Sequence, residues 1–233
     1  MRLFLGAWLL VLIFLGNTAA AETGNELVKT GQFFFPRLQF QCTQEVKKPW
    51  DVWPQGDQKL RDAIKKMSNI NVLTDPVVVN LDKPEELYHY PFVFMTAEGT
   101  FRWSQPNVEA AREYLMRGGF IYADDCTVNQ KGDMFFRAFI AQMAVLFPDN
   151  PMRPVPADHD IYNCFFKLNG APFLQGVKHP GMGLFEKDTG RLMAYCTSGD
   201  VHCGWVGWGN LDGLQRQNSI KMGINIVVYC LTH

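Results

Sequence analysis

The sequence contains no CxxC pair, no HExxH segment and no G-x-S-x-G elbow. It therefore carries none of the compact signatures of a zinc ribbon, a zinc protease or an α/β-hydrolase nucleophile. A surplus of charge is missing too, with 22 Lys plus Arg against 23 Asp plus Glu in 233 residues. Such balance leaves no basic footprint for nucleic acid or for an anionic membrane surface. The apolar amino-terminal stretch from Leu3 to Gly16 is only 14 residues long, whereas a comfortable bilayer span needs about 20. There is no internal repeat and no low-complexity segment, and nothing marks a second domain.

Residues 1–21 read as a secretory leader. Arg2 supplies its positive end, Leu3 to Gly16 its apolar core and Ala19-Ala20-Ala21 its cleavage site, with an uncleaved anchor as the lesser alternative. No cysteine follows the small residues, which argues against a lipoprotein anchor. The expectation is an exported, periplasmic protein of a bacterial envelope. It would have no nucleic-acid partner and no stable membrane insertion after cleavage. Residues 22–233 then form one domain, long enough to bury a substantial core. Six cysteines, Cys42, Cys126, Cys164, Cys196, Cys203 and Cys230, permit disulfides in an exported chain, but their spacing selects no pairing. Cys196 and Cys203 are too widely spaced for a zinc pair.

Strand and helix signals alternate along the chain. Phe33 to Phe40 has strand character, with Pro36 suited to an edge or a strand start. Apolar residues at helical spacing predict helices over 57–67, 107–117, 133–147 and 218–231. Strands are expected at 76–79, 90–95, 120–123 and 164–168, and the turn Lys187-Asp188-Thr189-Gly190 joins a hairpin. Ser104 is a candidate N-cap with Pro106 in the first turn, and Gly118-Gly119 ends that helix in the left-handed region. This alternation predicts a three-layer α/β sandwich with a mostly parallel sheet and a C-terminal hairpin.

The run from Gly118 to Cys126 organises the rest. Its apolar strand ends in Asp124, Asp125 and Cys126, and the carboxyl ends of α/β strands are where ligands sit. Adjacent residues point to opposite faces, so at most one of the two acids is expected to face the core. The pair reads as a metal or general-base site, with Asp125 as the candidate catalytic carboxylate. The plainer alternative is a helix cap beside a solvated acid. His159, between Asp158 and Asp160, is a second candidate catalytic or metal-ligating group, or else a histidine bonded in a turn. Ser198, Asp200 and His202 end another strand and could converge on the same edge, although Asp200 also suits a turn. Arg37 could bind an anionic group through its planar fork, or pair with Asp124 or Asp125. A ligand set of Asp124 or Asp125, His159, Asp200 and His202 would suit zinc, manganese or iron, a divalent metal held by oxygen and nitrogen rather than thiolate. Trp205 and Trp208 could stack on a sugar or peptide, though core packing is the commoner fate of such rings.

One ordered series of segments carries a resemblance. It comprises Phe35-Pro36-Arg37-Leu38, Tyr90-Pro91-Phe92 to Met95, Gly118-Gly119-Phe120 to Asp124-Asp125, Asp158-His159-Asp160-Ile161-Tyr162, Arg191 to Tyr195, Ser198-Gly199-Asp200 and Gly223 to Tyr229. Over nearly all of the mature chain it resembles the bacterial family known as domain of unknown function 4159. The resemblance implies a flavodoxin-like sandwich related to class I glutamine-amidotransferase-like and trehalose-utilisation-like folds, and no particular activity. Amidotransferase chemistry is not expected. Cys126 lacks the flanking glycines of a nucleophile elbow, and adjacent carboxylates disfavour its thiolate.

The reading is thus an exported ligand-binding or interaction module. Its polar pocket would gather Arg37, Asp124, Asp125, His159, Ser198 and Asp200, and its partner would be a small molecule or an envelope protein. The alternatives are a metal-assisted hydrolase acting on carbohydrate or envelope material, and a structural subunit of an envelope complex.

Overall fold

In the computed structural model, residues 31–43, 49–127, 132–207 and 213–233 are described. Residues 1–21, expected as a leader, Trp208 and parts of the loops around 46–56 and 127–132 lie outside the described residues. Strand β6 (Phe120–Asp125) is buried at every position. Side chains alternate between the faces of a strand, so such a run demands cover on both sides. It is central to a seven-stranded mixed sheet.

Before β6 the chain forms β1 (Gln32–Phe33), β2 (Pro36–Gln39), α1 (Gln55–Met67), β3 (Asn71–Val72), β4 (Val77–Asn80), α2 (Pro84–Leu87), β5 (Phe92–Ala97) and α3 (Gln105–Met116). After it come α4 (Met134–Leu146), β7 (Arg153–Pro154), β8 (Met182–Phe185), β9 (Leu192–Thr197), α5 (Val201–Val206) and α6 (Gly213–Thr232). The sheet order is β4-β2-β5-β6-β9-β8-β7, and β1 pairs with β3 in a separate two-stranded ribbon. The first five strands of that order run parallel, β8 runs antiparallel to β9, and β7 antiparallel to β8. Pro36 opens β2, an interior strand, so it serves as a strand start rather than an edge.

The two faces are filled differently. Val93, Met95, Ile121, Ala123 and Ala194 meet α3 and α4, whose Val108, Ala111, Leu115, Phe135 and Phe139 complete that layer. Phe92, Phe94, Phe120, Tyr122 and Tyr195 face α1, α5 and α6 instead. Residues 164–168, expected as a strand, have no ladder. Asn225 of α6 takes the place of a neighbouring strand there, accepting from Phe166 N at 2.7 Å and donating to Phe166 O at 2.8 Å. No helix among the described residues is long and apolar enough to cross a membrane.

The double glycine before β6 has two separate causes. Gly118 has φ +101°, the left-handed conformation that ends α3. Gly119 has no positive φ, but a Cβ there would lie 2.5 Å from the Tyr114 ring, whose hydroxyl donates to Phe120 O at 3.3 Å. Gly119→Ala should therefore destabilise by about 1–3 kcal/mol through overpacking. Gly118→Ala should cost about 1–2 kcal/mol through backbone strain. Urea denaturation midpoints of the two variants would check both.

Candidate functional site at the carboxyl edge

The edge is built in rows. Arg37, Phe94, Tyr122 and Tyr195 stand in register across β2, β5, β6 and β9. Their rings form a stack, with centroids 5.3 Å apart for Phe94–Tyr122 and 5.8 Å for Tyr122–Tyr195. Two residues further on, Thr96, Asp124 and Thr197 align in the same way. Aromatic burial thus gives way to a buried polar row at the carboxyl ends of the strands.

Arg37 is paired neither with Asp124 nor with Asp125. It forms a bidentate bond to Asp57 of α1, with Nε donating to Oδ2 at 2.8 Å and Nη2 to Oδ1 at 2.6 Å. Its Nη1 donates to Val52 O at 2.7 Å and Trp50 O at 3.2 Å. His202 Nε2 lies 3.2 Å from Arg37 Nη2 and 3.3 Å from Asp57 Oδ1. Burial alone would raise Asp57, but Arg37 and His202 outweigh it and hold the carboxyl below its usual range. Burial depresses the His202 imidazole, aided by the Arg37 charge and opposed by Asp57. Four of the five donors of Arg37 are thereby accounted for, which makes it a locking group for the edge.

The two strand-end acids are both buried, Asp124 at 0 % and Asp125 at 2 % exposure. The expectation that only one faces the core fails because helices cover both faces of the sheet. Asp124 accepts from Thr197 Oγ1 at 2.5 Å and from His202 N, at the start of α5, at 2.7 Å. Asp125 points the other way and accepts from Phe136 N, at the start of α4, at 2.8 Å. Burial, with the Asp200 charge, pushes Asp124 well above the carboxylate range against these bonds. Burial also raises Asp125, to about 7. Each acid anchors a helix start, so neither is the solvated acid that the plainer sequence alternative allowed.

Ser198, Asp200 and His202 do not form one constellation. β9 ends at Thr197, and Asp200 takes a left-handed conformation (φ 54°) that turns the chain into α5. Ser198 Oγ accepts from the backbone N of His179 at 3.1 Å. The His179 ring stacks on Phe136 and bonds Asp133 instead (Nε2 to Oδ2 2.6 Å), so no Ser–His pairing is built. Asp200 Oδ2 accepts from Thr127 Oγ1 at 3.3 Å and from Gln175 Nε2. Cys126, Asp200 and Cys203 are gathered, with one donor atom of each within 4.8 Å of the others. They are the one set of three or more His, Cys, Asp or Glu residues so gathered among the described residues. The hydrogen bond with Cys203 lowers the Cys126 thiol, but burial and the charges of Asp200, Glu98 and Asp124 together outweigh it and leave the thiol raised. All six cysteines are free thiols.

His159 lies at the opposite edge. Its ring packs 5.7 Å from Phe185 and 5.5 Å from Tyr229, and Phe185 pairs with Leu192, the first residue of β9. Asp124, by contrast, pairs with Thr197, the last. Its Nδ1 accepts from Ile161 N at 3.1 Å, capping a short 3₁₀ turn. The set Asp124, Asp125, His159, Asp200 and His202 is therefore not brought together. Trp205 is core, with Nε1 donating to Ser219 O at 2.9 Å, so it offers no stacking platform.

Asp57→Asn leaves Arg37 buried with half of its fork uncompensated. The expected loss is about 3–5 kcal/mol of unfolding free energy, read by chemical denaturation. Asp125 carries a pH signature. Between its ordinary value of about 3.9 and its folded value of about 7, the folded chain holds a proton that the unfolded chain has released. Its contribution therefore makes stability fall as pH rises through that window. Asp125→Asn keeps an acceptor for Phe136 N and removes the titration. The variant should gain Tm relative to the parent from pH 4 to pH 7, with no further gain above that range.

The search among curated proteins returned no match. A family model does match, over residues 35–231, and its description is domain of unknown function, DUF4159. That span begins in the approach to β2 and ends within α6, so it takes in the whole seven-stranded sheet and both strand-end acids. The segments that carried the resemblance in the sequence all fall inside it, and the chain belongs to the DUF4159 family.

Proposed function

We propose that this protein is a ligand-binding module of flavodoxin-like architecture, acting in the bacterial envelope and taking a small saccharide-like molecule at the carboxyl edge of its sheet. The observation that carries this reading is a cavity of about 740 Å³ beyond the ends of β2 and β4, against the start of α3. Its volume falls in the range of small-molecule sites. Numbered along the chain, the five parallel strands run 2-1-3-4-5, the flavodoxin-like order, whose switch point lies between β2 and β5. The cavity adjoins that point.

Its lining matches a molecule with flat C–H faces and a rim of hydroxyls. Trp50 and Trp103 supply aromatic surface, and Arg102, Asp82, Asn80 and Asn107 supply charge and hydrogen bonds. Trp103 Nε1 is buried with no acceptor among the described residues, a donor that a ligand hydroxyl would satisfy. The exported location rests on the apolar leader at residues 3–16. Of the residues first expected to form the pocket, none lines this cavity.

Isothermal titration of the full chain against neutral and anionic mono- and disaccharides tests the reading. Saturable binding of at least one class is expected, weakened about tenfold or more in Trp50→Ala and Arg102→Ala. Arg102 is exposed, so its variant should keep the parent Tm, whereas half-buried Trp50 packs against the core and its variant should stay folded with a lower Tm. Absence of saturable binding, or binding that both variants retain in full, would overturn it.

A further inference from the structure

We propose that Cys126, Asp200 and Cys203 form a three-ligand site for a borderline-soft divalent cation, zinc by its chemistry, with the fourth position open to water or a ligand group. The site is separate from the saccharide cavity and does not depend on it. Its geometry is already close to that of a metal centre. The two Sγ atoms and a carboxylate oxygen lie within 4.8 Å of one another. Tetrahedral zinc, with sulfur at about 2.3 Å and oxygen at about 2.1 Å, holds such ligands roughly 3.6–3.8 Å apart. A side-chain contraction of about an ångström closes the gap.

Three further observations point the same way. Asp200 Oδ1 is buried and meets no N–H or O–H donor among the described residues, whereas Oδ2 is held by Thr127 and Gln175; the Cys203 thiol is the neighbour that bonds this carboxyl and whose proton an ion would replace. A ligating carboxylate has this arrangement, with one oxygen oriented by neighbours and the other left for the ion. Asp200 also adopts a left-handed backbone without being glycine, and Trp53 is the other described residue to do so. Both stand at this cluster: Trp53 packs beside Val52 and Leu174 around the two cysteines. Strain at a non-glycine residue persists where its surroundings fix it, and it concentrates at ligand sites. Cys203 follows Asp200 by three residues at the first turn of α5, and its N donates to Asp200 O at 3.2 Å, so the two share a face.

The donor set decides the class of ion. Two thiols and one carboxylate favour zinc over calcium or magnesium, which require oxygen shells. Crowding of three acids opposes their ionisation. Burial raises Asp200, and the Cys126 thiol together with burial raises Cys203. A divalent cation reverses that balance and releases protons on binding. The oxygen–nitrogen set expected from sequence kept only Asp200, because His202 turns away to Arg37 and Asp57.

Cobalt(II) titration of the reduced, chelator-treated full chain is the test. The expected result is a saturable thiolate-to-cobalt charge-transfer band with the visible bands of tetrahedral cobalt, displaced by zinc. The band should vanish in Cys126→Ser and Cys203→Ser and persist in Cys42→Ser, whose thiol lies elsewhere. Thiol counting on the parent protein keeps the test decisive should the serine variants misfold. Zinc should protect two thiols from an aromatic disulfide reagent, and it should protect neither in Asp200→Asn to the same extent. No cobalt band with all thiols free would overturn the proposal. So would a Cys126–Cys203 disulfide that re-forms after reduction in the presence of zinc, since the pair would then be a redox staple.

Discussion

A strand buried on both faces cannot end in polar residues unless each face offers a partner. β6 meets that constraint with two adjacent carboxylates, one tied to the start of α5 and the other to the start of α4. Asp124 and Asp125 thereby fix the positions of helices on opposite sides of the sheet from a single strand end. The surrounding polar row is arranged to support them. Thr197 bonds Asp124, Tyr122 bonds Thr197, and Arg37 with Asp57 and His202 fills the space toward α1. Unpaired, any of these buried groups would carry a desolvation cost of about 1–3 kcal/mol or more.

The architecture was largely legible in the sequence. The apolar runs at 90–95 and 120–123, the cap at Ser104, the double glycine and the hairpin turn are local signals, and local signals survive folding. Ser104 does cap α3, accepting from Asn107 N at 3.4 Å. Which side chains meet was much harder to read. Asp57 sits on an amphipathic helix where any acid looks solvated, and only the packing of α1 beside β2 delivers it to Arg37. His159 read as an edge residue, yet the segment that follows β7 brings it against Phe185, beside the amino end of β9. Cys126 and Cys203 are distant in the chain and share no spacing motif, so their approach belongs wholly to topology.

Two features at the carboxyl edge stand apart from the locked polar row. One is an open cavity with indole walls; the other is a small, apolar-walled group of two thiols and a carboxylate. Neither draws on the strand-end acids, which are consumed in holding helices. A fold of this type separates the residues that set its frame from those left available for chemistry, and here the most conspicuous acids fall in the first class.

The Arg37–His202 contact spans 165 residues, and the Asp124–Thr197 bond spans 73. β6 is synthesised long before the segments that bond its polar end. Arg37 meets Asp57 only 20 residues on, but until β9 and α5 arrive the Asp124 carboxyl lacks its partners in an otherwise apolar sheet. Closing loops of this length slows assembly. In a nascent chain emerging from the ribosome, the final consolidation of the sheet around Asp124 therefore waits on the last quarter of translation.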